Sequence, residues 1–190
     1  MKPKSRVLGI DDGPFRFGDA EVPVVGVVVQ APSYIDGVLQ TRAQVDGRDA
    51  TERIGGMIRR SRYREGLAMV LVDGSAVGGF NVIDVDRLHG DAGVPVATVT
   101  RHKPDFFAME RALRRKFEDW EDRWEILRRH PLEEVPTRHR PVYVTQVGAT
   151  LAEVREALAL TTVRGALPEP LRIAHLVAAS LVRGESRGRA

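Results

Sequence analysis

The spacing of apolar positions along the chain changes period several times, and each change marks an element. Val7, Leu8 and Ile10 make a short apolar run that ends in Asp11-Asp12-Gly13, the pattern of a buried strand stopped at a turn. Residues 14–21 read as a loop or hairpin tip. Val22–Gln30 is mostly valine, as expected of a strand buried on both faces. Ala31 to Tyr34 reads as a turn. Val38–Val45 alternates imperfectly as a third strand and is closed by Asp46-Gly47. Three consecutive strands on short links predict an antiparallel meander.

The period then lengthens. Asp49-Ala50-Thr51-Glu52 has capping-box spacing, and Ile54, Met57 and Ile58 form one stripe, so a helix is expected over Asp49–Arg60. Gly55 and Gly56 weaken it by about 1 kcal/mol each relative to alanine and permit close packing. Leu67–Val72 is a fourth strand, again ending in Asp-Gly. A glycine-rich stretch to Phe80 follows, then a short helix over Val82–His89 and a fifth strand over Val94–Thr100. Phe106, Met109, Leu113, Phe117, Trp120, Trp124 and Leu127 recur at three and four residues. They predict the longest amphipathic helix, opened by Pro104 and ended by His130-Pro131, with room for one break. Its aromatics at that spacing are core. Pro141–Val147 reads as a strand, Thr150 as the cap of a helix, and Pro168-Glu169-Pro170 as the start of a last helix to Val182. Residues 184–190 form a basic tail expected to fray. With no repeat and no long linker, the expectation is one α/β domain over 1–190, a mixed sheet with helices on both faces.

Composition narrows this picture modestly. The chain has 190 residues, 43% of them hydrophobic, enough for a core. Net charge is only +3, but apart from Lys2, Lys4, Lys103 and Lys116 every basic residue is arginine, which suits bidentate phosphate contacts. Cysteine is absent, which excludes disulfides, thiolate catalysis and cysteine-ligated zinc. No segment resembles a signal peptide or a membrane span, so a cytoplasmic protein is expected.

Candidate chemistry lies at the strand ends. Asp11, Asp46 and Asp73 each sit where a strand meets a turn. Asp-Gly is also plain turn chemistry, so turn and site both stand as readings. If the first and fourth strands are parallel neighbours, Asp11 and Asp73 meet at the sheet's carboxyl edge, where open α/β sheets bind ligands. Carboxylates from separate elements suit Mg²⁺ or Mn²⁺, with positions left for a substrate phosphate. Because strand side chains alternate, Asp12 points away from Asp11. On the last helix, Arg172, His175 and Ala179 share a face outside the apolar stripe, where they would hold a phosphate or water, or give a structural hydrogen bond. Residues 74–79 match neither a P-loop nor a dinucleotide fingerprint.

Leu167-Pro168-Glu169-Pro170-Leu171-Arg172-Ile173-Ala174-His175 resembles the closing motif of endonuclease V. Gly9-Ile10-Asp11, Val72-Asp73-Gly74, and His89-Gly90 with Pro95 resemble its other motifs in order. Over nearly the whole chain the pattern is similar to the archaeal endonuclease dU family, through LGIDDG, VDGRDATE, FNVID, PEPLRIAH and GESRGRA. The resemblance implies a ribonuclease-H-like fold and divalent-metal-dependent cleavage of nucleic acid at deaminated bases: uracil, or inosine or xanthine. DNA is the expected substrate and RNA stays open. It makes Asp11 and Asp73 metal ligands and places His175 beside the cleaved phosphate. It takes Asp46 as the third acid, with Asp12, Asp49 and Glu52 as alternatives. It also casts Tyr34-Ile35-Asp36-Gly37 as a strand-separating wedge, with Asp36 where the family pattern has proline. A deaminated base has to leave the stack to be read. The backbone around Gly74, Gly78 and Gly79 is the candidate for approaching it, and Asn81 either pairs with its edge or caps the helix that follows. A nucleic-acid-binding module without catalysis and a small-molecule phosphohydrolase remain as rivals, and oligomeric state is open.

Overall fold

The computed structural model describes residues 4–16 and 18–186, so residues 187–190 of the expected tail lie outside the described part. A seven-stranded sheet has the order β3-β2-β1-β4-β7-β9-β8. Its strands are β1 (Arg6–Asp12), β2 (Glu21–Gln30), β3 (Tyr34–Gln44), β4 (Leu67–Asp73), β7 (Val96–Thr100), β8 (Glu133–Val135) and β9 (Val142–Val147). The expected meander is present: β2 pairs antiparallel with both β1 and β3. The interior strands β1, β4 and β7 are parallel. A separate hairpin joins β5 (Ala76–Val77) to β6 (Asn81–Val82).

The helices are α1 (Ala50–Arg59), α2 (Val85–Ala92), α3 (Phe106–Lys116), α4 (Trp120–Arg128), α5 (Leu151–Thr161) and α6 (Glu169–Arg183). One face of the sheet buries Leu8, Ile10, Val70 and Val72 against Ile54, Met57 and Ile58 of α1 and Leu88 of α2. The other buries Val7, Leu71, Val99 and Val144 against Val154 and Leu158 of α5 and Leu171 of α6. The valines of β2 divide between the faces: Val24 and Val28 join the first cluster, and Val25, Val27 and Val29 join Ala174 and Ala178 of α6. Alternation along a strand accounts for this two-sided burial. Strand β3 is an edge strand with one face largely in solvent, which explains its imperfect alternation.

Several boundaries differ from the sequence reading. Strand β3 starts at Tyr34, four residues early, because Tyr34 pairs with Gln30 across a tight turn. The short helix begins at Val85, since Asn81 and Val82 belong to a hairpin strand and Asp84 caps the helix through the amides of Asp86 and Arg87. The long aromatic helix breaks at Phe117, whose backbone is extended, and α3 and α4 fold against each other. Strand β8 is too short and too charged to show as a pattern. Asp49 occupies the N-cap position of α1 without capping it, and Ala50 N–H instead donates to Asn81 Oδ1 at 2.9 Å. Gly55 does allow close packing, because a Cβ there would strike the Asp91 side chain of α2. Among the described residues no helix is long and apolar enough to cross a membrane.

Candidate active site

Strand register builds the site. Ile10 pairs with Val72 across the parallel β1–β4 ladder, so Asp11 and Asp73 are the next residues along two adjacent strands. Neighbouring strands lie about 4.8 Å apart. Because Ile10 and Val72 face the α1 side, the two carboxylates face α6.

Helix α6 reaches them because side chains are missing at two points, one within β1 and one just past its end. A Cβ on Gly9 would collide with the backbone of Pro170 and Leu171, and one on Gly13 would meet Val182 and the Ala178 carbonyl. The helix therefore lies directly along β1, and His175 falls between those contacts. His175 Nδ1 sits 2.8 Å from Asp11 Oδ2, and Asp12 N–H donates to Asp11 Oδ1 at 2.8 Å, so both oxygens of the buried Asp11 are anchored.

The electrostatics follow from burial. The Asp73 carboxyl is pushed up to about 7, chiefly by desolvation and then by the charge of Asp11, against opposing attraction from Arg101 and His175. The hydrogen bond to Asp11 raises the His175 pKa above its ordinary value, with Asp11 and Asp73 charges adding to it and burial opposing. Asp11, Asp12, Asp73, Arg101, His175 and Arg183 line an open cleft of about 450 Å³.

Asp12 faces the other way, as strand alternation requires. It accepts from Gly78 N–H at 2.9 Å, and desolvation raises its pKa to about 6. It ties the glycine loop to β1.

Other expected site residues are not brought here. Asp46 adopts a positive φ of 56°, accepts from Phe80 N–H at 3.0 Å and pairs with Lys116. It sits beyond the end of edge strand β3 and does not line the cleft. Asp49 is taken up by Gln44 N–H, Asn81 Nδ2 and Arg53, while Glu52 is exposed on α1 opposite Arg87. Arg172 is held by Glu169 through three short contacts of 2.6–3.1 Å and does not line the cleft either. Arg101 and Arg183 are the cationic residues there. Arg101 had a legible signal: it stands two residues past Val99, the partner of Asp73.

The base-reading assignments need correction. Asn81 is completely buried; its oxygen caps α1 and its amide donates to the Gln44 carbonyl and to Asp49, both at 2.8 Å. It caps the helix before it, not the one after, and has no edge left for a base. Gly74 N–H donates to Val99, and Gly78 N–H to Asp12, so those amides are also engaged. Gly79 lies against Asp46 and Phe15. Tyr34, 68% exposed, stands opposite Gln30 at the amino end of β1, at the other edge of the sheet from Asp11. Asp36 there pairs with Arg6.

A mixed sheet of this strand order, with parallel interior strands and helices on both faces, is a ribonuclease-H-like fold. The endonuclease dU profile matches residues 3–182, and the chain belongs to that family. It is 41% identical to a UPF0215 protein of Methanosarcina barkeri over 100% of this chain and 97% of the relative. A crystal structure of a protein of unknown function from Archaeoglobus fulgidus superposes with a TM-score of 0.83 at 36% identity, covering 94% of this chain and 98% of that one. Human endonuclease V shares the fold at a TM-score of 0.60 and 16% identity, over 95% of this chain and 85% of its own. Ciona intestinalis endonuclease V, in complex with a DNA containing an inosine followed by a ribo-adenosine, does so at 0.57 and 12%, over 90% and 82%. The family is one of endonucleases, and the fold is shared with endonuclease V.

Proposed function

We propose that this protein is a divalent-metal-dependent endonuclease that cuts DNA at or beside deaminated bases, uracil first among them. The observation that carries the reading is the meeting of Asp11 and Asp73 on adjacent strand ends, with His175 hydrogen-bonded to Asp11, in an open cleft of an endonuclease dU family member. The DNA in the Ciona endonuclease V complex supports a nucleic-acid substrate.

The donor set fits Mg²⁺ or Mn²⁺. Burial first, and the charge of Asp11 second, push the Asp73 carboxyl up to about 7, an arrangement that a cation relieves. Among the described residues no group of three or more acidic or histidine side chains is gathered to hold an ion alone. That suits an ion held by one or two carboxylates and completed by waters and a substrate phosphate. When bound, such an ion supplies charge stabilisation at the phosphodiester and a lowered pKa for an attacking water.

The protein's own groups do the rest. Asp11 and Asp73 provide the oxygens. His175, oriented through Nδ1 by Asp11, turns its other ring nitrogen to a phosphate oxygen or a water and holds or donates a proton there. Arg101 and Arg183 draw the DNA backbone into the cleft. The absence from the cleft lining of Asp46, the expected third acid, favours one second reading, a module that binds damaged DNA without cutting it.

Oligonucleotides carrying uracil, inosine or xanthine, incubated with Mg²⁺ or Mn²⁺, separate the two. Lesion-dependent cleavage that disappears with chelator and with Asp73→Ala is the expected result. Lesion-selective binding without cleavage establishes the second reading, and neither binding nor cleavage overturns both.

A further inference from the structure

We infer that the outer face of α3 is a nucleic-acid docking surface, with Arg111 and Arg115 on backbone phosphates and Phe107 stacked on an unpaired base of the strand that enters the cleft. The inference rests on the nuclease reading above and says where the substrate lies outside the acidic site.

Position comes first. Strand β7 ends at the same edge as Asp73, and the residue that leaves it, Arg101, lines the cleft. At its far end α3 returns to that edge, because Lys116 pairs with Asp46 beyond the end of β3. Eleven helical residues span about 16 Å, close to the roughly 19 Å between β7 and β3, four strand spacings apart. Helix α3 therefore starts soon after β7 leaves that edge and ends beside Asp46 at the same edge.

Its two faces differ. Leu113, Met109 and Phe117 pack with Trp120, Trp124 and Val82, and Phe106 meets Trp124 edge-on with ring centres 5.9 Å apart. This packing is pinned by the buried Arg123, which donates to the Gly47 and Phe80 carbonyls at 2.8 and 2.6 Å. The opposite face carries Phe107, at 82% the most exposed large apolar side chain among the described residues. Arg111 and Arg115 follow it at helical spacing, both exposed and without an ion pair among the described residues. Arg114 is different: it pairs with Glu110 and lies over the Trp120 ring.

Charge is concentrated here. Residues 101–116 hold Arg101, Lys103, Arg111, Arg114, Arg115 and Lys116 against only Asp105 and Glu110, in a chain whose whole excess is +3. A solvated helix face does not call for an exposed phenylalanine one turn ahead of two exposed arginines. A polyanion with flat, stackable bases uses both: phosphates meet the guanidinium groups, and a base covers the ring.

The test uses the whole chain, with Arg111→Glu and Arg115→Glu combined, and separately Phe107→Ala and Phe107→Trp. All four changes lie on solvent, and thermal midpoints matching wild type check folding. Binding of a labelled uracil-containing oligonucleotide is measured in chelator across a salt series, and cleavage with Mg²⁺ at saturating enzyme. The charge reversal should weaken binding at least about tenfold and lower the slope of log affinity against log salt by about 2, one for each phosphate contact. Phe107→Ala should weaken binding about tenfold, and Phe107→Trp should restore it with quenched fluorescence. Cleavage at saturation should persist. If wild type binds and cuts while affinity and salt slope are unchanged in the variants, the docking surface is refuted and the active-site reading stands. A wild type that neither binds nor cuts removes both.

Discussion

The tripeptide Val-Asp-Gly occurs twice at a strand end, at Val45-Asp46-Gly47 and at Val72-Asp73-Gly74, and the two copies meet opposite fates. Asp73 ends an interior strand next to Asp11, among buried neighbours, and its carboxyl rises to about 7. Asp46 follows an edge strand, turns through a left-handed backbone angle and is neutralised by Lys116 and the Phe80 amide. The same three residues give a desolvated carboxylate in a cleft in one place and a loop anchor in the other. What differs is the neighbouring strand. A parallel neighbour with its own terminal aspartate concentrates negative charge, whereas a sheet edge leaves room for a lysine to dissipate it.

The sharpest way to break this comparison is to neutralise each copy. Asp73→Asn, like Asp11→Asn, should reduce cleavage by roughly a thousandfold, the scale of losing several kcal/mol of transition-state charge stabilisation. Asp46→Asn should stay within about threefold of wild type in the same single-turnover assay, and a loss as deep as that of Asp73→Asn would end the distinction. Next in size is Asn81→Ala, which strips the cap from Ala50 and removes the two amide hydrogen bonds to the Gln44 carbonyl and to Asp49. It should cost about 3 kcal/mol in urea unfolding. Unchanged stability with lost uracil selectivity would instead return Asn81 to base reading.

The comparison also predicts a stability effect of opposite sign. Asp73 ionises near 7 in the folded protein against an ordinary 3.8, so folding favours its protonated form. Its contribution is therefore full below about pH 4 and is lost as pH rises through about 7. In chelator at pH 8, Asp73→Asn should be more stable than wild type by on the order of 2 kcal/mol, with the gain shrinking toward zero near pH 4. Asp46→Asn removes a compensated charge and should lose about 0.5–1 kcal/mol. Equal signs for the two variants would show that Asp73 is compensated as well.

Much of the fold was legible because burial leaves a periodic trace. The valines of β2, the stripe of α1 and the aromatic spacing of α3 and α4 all report a hydrophobic face. The β5–β6 hairpin and β8 were missed because two- and three-residue strands carry no period. Within the site, strand alternation separated Asp11 from Asp12 in advance, and the face of α6 put His175 off the apolar stripe. Arg172 could not be placed by that face alone, because Glu169 three residues earlier captures it, and a helix wheel does not rank partners.

By itself, then, the sequence determined where the longer elements form, that carboxylates stand at three strand ends, and which family the chain resembles, since these are properties of local pattern and order. Only the tertiary structure decided which carboxylates share a cleft. That choice depends on the β1–β4 register, on the close approach of α6 permitted at Gly9 and Gly13, and on Lys116 arriving from seventy residues away to claim Asp46. Those are long-range contacts, and no local pattern carries them.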